Sequence, residues 1–412
     1  MLTCAFSPER GPGTRLAAER RTGGVFRLDR KVTTDISRPI AGGWLASARS
    51  DGQDLIVSGP QGAADYETAI EDAVSAAQEA LDLIAAEGGP ALMIEGAETG
   101  HIVWWTEARG IVLRDMATGD LGFHFSATVE VRDAAGNLIT QPTPPVAWHE
   151  SFRYFRISQT TGDLFDAYRN LYLAVESLLG TIVPQRMKAA GRPSEGEREW
   201  LHRAMTQIHP ATVNLANYAV AGTANPVDAV VDDLYAGTRT RLFHSKAGRP
   251  ILLPHTLSGR DNVLASLERL GRLYVDLARS ALSLQRGSGV MTYAGFQLAT
   301  NWAAELVLSE DRASAEKTDT VTNPNGGAVI ALPTQPPDQS RPGITTWASE
   351  VLVTDILTRV PVIRRVAMTV RGNLRMLSVH QPALNIDDVA VLQVHRSLQL
   401  VNPDTVKFRY VT

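Results

Sequence analysis

Arg239 and His244, with four residues between them, stand in the stretch LYAGTRTRLFHSK, residues 234–246, with Arg241 and Lys246 close by. An Arg fork binds a phosphodiester bidentately, and an imidazole with a reference pKa of about 6.5 gives and takes protons near neutrality. Attack of a ribose 2′-hydroxyl on the adjacent phosphate needs one base, one acid and charge stabilisation, and no metal. One Arg–His pair supplies half of that set. A symmetric dimer that brings two pairs face to face completes it. At a helix end the two side chains would lie on neighbouring faces, within about a turn and a half. The same spacing also fits a structural role, with Arg239 on helix carbonyls or on Asp232 or Asp233, and His244 satisfied at a helix terminus.

The elements that must position this pair are helical. Leu164, Phe165, Tyr168, Leu171, Tyr172, Val175, Leu178 and Leu179 form an apolar stripe, with Asp163 as N-cap and Pro184 as stop. A second helix over 196–207 opens with Glu195, Glu197 and Glu199, which suits the positive end of its dipole. Residues 227–240 and 263–284 read as further helices, so 150–285 reads as an all-α bundle. Before it, residues 25–147 alternate with period two and carry one helix, Tyr66 to Ala86, capped by Asp65. The run QPTPPV at 141–146 marks a boundary. After it, strand patterns return over 287–412, including MTYAGFQLATNWAAELVLSED, with a long loop at 317–343. The expected fold class is α+β multidomain: an N-terminal β-rich domain with one packed helix, a central all-α bundle and a C-terminal β-domain.

At 412 residues the chain has room for two or three domains, and 44% apolar against 20% charged residues is a core-forming composition. A net charge of -4 and a pI near 6.2 exclude a generally basic binder of duplex DNA. The single cysteine, Cys4, excludes an intramolecular disulfide or a zinc ribbon. Residues 1–24 read as a disordered leader without the apolar core of a signal peptide, and no apolar run of membrane-spanning length follows. A cytoplasmic protein without a membrane partner is expected. No Walker loop, dinucleotide fingerprint or zinc-protease motif occurs, and NPNGGA at 323–328 reads as a turn. His202 and His209 lie seven apart without a nearby cysteine or carboxylate pattern, so no metal and no cofactor are expected. Trp104 and Trp105 put one indole on each face of a strand, for core packing or for a ligand.

The stretch LYAGTRTRLFHSK, followed by the helix from Val263, resembles the end of a HEPN domain, whose hallmark is Arg, four to six residues, then His. The helix over 152–179 and GEREWLHRAM at 196–205 are similar to the J-type proteins of methylamine-utilization clusters and their HEPN-like relatives. The resemblance covers residues 150–285. The residue after the Arg in nuclease members is usually Asn, Asp or His, and Thr240 stands there in this chain. The resemblance implies that Arg239 binds and polarises a scissile phosphate and that His244 orients or protonates the reacting oxygens. It also implies that Glu176 faces the site and that Arg241 and Lys246 form a basic rim. It implies a metal-independent endoribonuclease acting on RNA as a homodimer, in defence or stress response, with β-domains that sense a trigger. The family also contains non-catalytic dimerisation and binding members; in that alternative the β-domains recognise a protein or small-molecule partner.

Overall fold

The computed structural model describes residues 21–401 apart from 61, 96–99, 123–131, 139–146, 162, 189–190, 220–221, 244–251, 253–255, 285–292, 312–327 and 342. The chain divides into two compact units, one of residues 1–121, 255–257 and 292–400, the other of 122–254, 258–291 and 401–412.

The first unit is built on strands. Period-two stretches near the start form β1 (Thr22–Arg27), β2 (Ile36–Pro39), β3 (Leu45–Ala48), β4 (Asp54–Gly59), β5 (Gly100–Glu107) and β6 (Gly110–Gly122). Later stretches form β7 (Glu305–Ser309), β8 (Val329–Leu332), β9 (Ile344–Leu352), β10 (Val362–Val370), β11 (Asn373–Asn385) and β12 (Val389–Val401). One eight-stranded sheet runs β2-β3-β4-β1-β5-β6-β12-β9, and a four-stranded sheet runs β11-β10-β7-β8. Between β4 and β5 the helix α1 (Tyr66–Ala86) begins where Asp65 accepts from the Thr68 amide at 2.8 Å, and ends ahead of Gly88 at φ 84°. Its small inner residues, Ala69, Ala73, Ala77 and Ala80, let it pack closely over Val103, Trp105, Val112 and Val391. Trp104 is buried on the other face. Only glycine fits opposite it, because a Cβ at Gly23 would lie 2.2 Å from its ring.

The expected fold class is overturned here. The chain is a mixed α/β protein, not an all-α centre set between two independent β-domains. β12 and β9, from the C-terminal stretch, sit in the same sheet as β1 to β6 from the N-terminal stretch. Alternation reveals that a stretch is a strand, but hydrogen-bond pairing across hundreds of residues decides which sheet it joins.

Among the described residues of the second unit are α2 (Glu150–Thr160), α3 (Leu164–Ile182), α4 (Glu197–Ile208), α5 (Pro226–Val231), α6 (Thr240–Phe243) and α7 (Leu257–Leu282). Two isolated bridges also lie there, Arg132 with Leu138 and Met187 with Pro193. Asp163 caps α3 as expected, accepting from the Asp166 amide at 2.8 Å. Residues 227–240 are not one regular helix: 232–239 form a π-helical stretch between α5 and α6. The wider turn brings residues five apart into register. A Cβ at Gly237 would sit 3.3 Å from the Asp232 carbonyl, and Thr240 Oγ1 donates to the Tyr235 carbonyl at 2.6 Å. Three local expectations also change. Residues 293–300 form a helix, α8, rather than a strand, β8 lies within the expected loop at 317–343, and β11 was not anticipated.

Candidate functional site

Arg239 ends the π-helical stretch, and its guanidinium turns toward the first residue of α4. Arg239 Nη2 lies 2.6 and 2.8 Å from the two oxygens of Glu197. Tyr172 on α3 donates its hydroxyl to the same carboxylate at 3.3 Å. Three rings surround the cation, with centroids at 4.9 Å for Tyr235, 5.3 Å for Tyr172 and 5.5 Å for Phe243. These contacts come from α3, α4, α6 and the π-helical stretch, so one cation ties four elements together. The carboxylates of the expected structural pairing have other partners: Asp232 meets Arg198 at 2.5 Å and Asp233 meets Arg269 at 2.8 Å.

Glu176 lies on α3, half-buried beside this cluster. Burial raises its carboxyl above the usual range, Glu197 adds to the rise, and Arg239 opposes it. Thr240 uses its hydroxyl on the backbone, as described above. Arg241 is half-buried in α6, and its carbonyl accepts from the Leu252 amide at 3.1 Å. His244 and Lys246 lie outside the described residues. The cluster therefore holds Arg239 against Glu197, with Glu176 near enough to feel both. Arg169 also lies over the Phe243 ring, at 5.8 Å from its centroid, so among the described residues two cations and two carboxylates gather around α3 and α6.

A shallow groove of about 420 Å³ lies elsewhere in the same unit, lined by Asn214, Asn217, Tyr218, Asp276, Arg279 and Ser280 among others. Tyr218 donates to Asp276, which also pairs with Arg279 at 3.4 Å.

The sequence reading missed two polar clusters in the strand-built unit. Asp115 on β6 is buried, and its Oδ2 lies 2.8 Å from Arg396 on β12 and 3.2 Å from His380 on β11. Burial alone would raise the Asp115 carboxyl, but Arg396 and His380 outweigh it and hold it below the usual carboxylate range. On the opposite face, Tyr66 Oη lies 2.8 Å from His101 Nε2, and the Arg114 guanidinium sits 3.7 Å above the Tyr66 ring. The signal was present but unread. In GIVLRDMATG and VLQVHRSLQL, titratable residues occupy both phases of the alternation, although apolar residues flank them. Trp104 and Trp105 are both buried in the core.

Among the described residues no group of three or more His, Cys, Asp or Glu side chains is arranged to hold a metal ion. No described helix is long and apolar enough to cross a membrane. Comparison with protein-family models, with curated proteins and with solved structures finds no match to this chain.

Proposed function

We propose that this chain is a binding protein in which the Arg239 cluster is a structural clamp of the helical unit, and the strand-built unit recognises a ligand. The observation that carries this reading is the engagement of Arg239 by both oxygens of Glu197 beneath three aromatic rings. Arg239 Nη2 is engaged by Glu197, so a phosphate held bidentately through that nitrogen would have to displace the carboxylate. Glu176 lies beside the same contact, with its carboxyl raised by burial and by Glu197. Charge-assisted hydrogen bonds of this kind are worth about 1.5–3 kcal/mol each, so the exchange is uphill unless RNA replaces them fully. The likeness to HEPN proteins enters as that family's non-catalytic form, with a second copy of the chain as the partner that likeness implies for the helical unit. A cytoplasmic setting is part of the same proposal.

The test is cleavage of a mixed RNA pool in EDTA by the full chain and by Arg239→Ala and His244→Ala variants, with end-group analysis. No cleavage above a protein-free control is expected from any of the three, and Arg239→Ala should lower thermal stability. Chelator-resistant cleavage that disappears in both variants and leaves 2′,3′-cyclic phosphate ends would overturn this reading in favour of a metal-independent endoribonuclease.

A further inference from the structure

The groove lined in part by Asn214, Asn217, Asp276 and Arg279 lies between a loop and a helix of one unit. The loop wall follows α4 and is fixed by its own bonds. The Thr212 amide donates to the Ile208 carbonyl at 2.8 Å, and the Leu215 amide donates to His209 Nδ1 at 3.2 Å. Asn214 Oδ1 accepts from the Ala216 amide at 3.1 Å and so opens one turn of 3-10 helix over Leu215–Asn217, where Leu215 is buried. The other wall is the last part of α7, where Asp276, Arg279 and Ser280 stand three and four residues apart and share one face. Tyr218 joins the two walls, because its hydroxyl donates to Asp276. Walls fixed in advance lose little freedom when a ligand arrives.

The lining presents more hydrogen-bonding groups than the protein itself uses. The side chains of Thr212, Asn217 and Ser280 make no hydrogen bond to another described residue, and Asn214 uses only its side-chain oxygen. The charges are of both signs. Asp276 pairs with Arg279 at 3.4 Å, and Arg272, one turn earlier on α7, acts on the Tyr218 hydroxyl. Burial, then the bond to Asp276, raise the Tyr218 phenol above its usual range, so it keeps its proton and its hold on Asp276. A phosphate or carboxylate on Arg279 would stand beside Asp276, and an ammonium on Asp276 would stand beside Arg279. An apolar ligand would strip water from Asn214, Asn217 and Ser280 without replacing its bonds. The lining therefore suits a neutral ligand that donates and accepts at several points. Val213 and Tyr218, the buried members, supply apolar surface for one side of it, and about 420 Å³ is within the range of small-ligand sites. A sugar ring has this character: it is uncharged, each hydroxyl both donates and accepts, and its C–H groups form an apolar patch.

We propose that this groove between the loop after α4 and the end of α7 binds one sugar ring, as a free hexose or as the end of a glycan chain. Ring hydroxyls bond to Asp276 and Arg279 on one wall and to the Asn214 and Asn217 amides on the other, with Ser280 at the end of the helix wall. The C–H side of the ring lies toward Val213 and Tyr218. The site belongs to the helical unit and is additional to the ligand recognition proposed for the strand-built unit.

The test is titration of the full chain with glucose and galactose, and with maltose and lactose, which carry those rings at their non-reducing ends. Binding is read by saturation-transfer NMR on the sugar and by the side-chain amide resonances of Asn214 and Asn217, assigned by their loss in Asn214→Ala and Asn217→Ala. At least one sugar is expected to bind saturably, with a dissociation constant on the order of 1 mM, and to shift the Asn217 resonance. Asn217→Ala and Ser280→Ala should each weaken binding about fivefold and Asp276→Asn about tenfold. Arg153→Gln, at an exposed position on α2, should bind as the parent does. Asp276→Asn also alters the Tyr218 contact, so Asn217→Ala and Ser280→Ala, at exposed positions, decide the outcome if that variant does not fold. A disaccharide that binds more tightly than its free hexose assigns the end of a glycan chain, and equal or weaker binding assigns a free sugar. Saturable binding of none of these sugars overturns the proposal. So does binding that Asn217→Ala and Ser280→Ala both leave unchanged, or that Arg153→Gln weakens equally, or a shift of the Asn217 resonance by inorganic phosphate and by no sugar. These outcomes are independent of RNA cleavage and of Arg239, so the two readings fail separately.

Discussion

Asp115→Ala removes the carboxylate that bridges Arg396 and His380, whose side chains are 0% and 1% exposed. Arg396 also donates to the Asp115 main-chain carbonyl at 3.0 Å, a bond the substitution retains, so the guanidinium stays in place with its charge uncompensated. Removing one member of a buried ion pair costs about 3–5 kcal/mol, against a typical total stability of about 5–15 kcal/mol. For a unit of this size each kcal/mol moves Tm by roughly 2–4 °C, so the unit should melt roughly 6–20 °C lower. Replacing both partners, as Asp115→Leu with Arg396→Met, removes the orphaned charge and should cost less than the sum of the two single changes. Glu350→Ala, which breaks the exposed pair with Arg109, serves as the contrast and should cost about 0–1 kcal/mol. Urea unfolding of the full chain by tryptophan fluorescence is a suitable assay, because Trp44, Trp104, Trp105, Trp302 and Trp347 belong to the strand-built unit. A loss below about 1 kcal/mol in Asp115→Ala, or strict additivity in the double variant, would refute the reasoning that a buried charge is left uncompensated.

Two further outcomes follow from the helical unit. Arg239→Ala should destabilise by about 2–4 kcal/mol and Glu197→Gln by about 1–2 kcal/mol, read by denaturant midpoints at unchanged m-value, because the first change also removes the ring contacts; equal costs would place the energy in the ion pair alone. Glu195 accepts from Arg203 and from the Arg186 amide at 2.8 Å, and these bonds lower its carboxyl to about 2. Its folded value lies below the unfolded value of about 4.3, so its contribution is full above that pH and is lost as pH falls toward 2. Glu195→Gln should therefore flatten the acid limb of a stability–pH curve between about pH 5 and 2, and an unchanged limb would show that the Arg203 bond contributes nothing.

Local order was legible along the chain because it depends on neighbours. The period of α3, its Asp163 cap, the alanine face of α1 and the period-two runs at β5, β6, β9, β10 and β12 needed no tertiary information. Composition likewise bounded charge and disulfide content. The spacing of Arg239 and His244 identified a place where a cation meets a helix end, but not what that cation touches. Glu197 is 42 residues away in sequence, and the folding of α3, α4 and the π-helical stretch brings it to Arg239. The longest-range decisions were invisible for the same reason. Asp115 and Arg396 are 281 residues apart, and only placing β12 in the sheet beside β6 makes them partners and gathers Arg114, Gln393 and His395 on the face beneath α1. Sequence alternation sets which side of its own strand a residue takes; the hydrogen-bond pairing of distant strands sets what stands beside it.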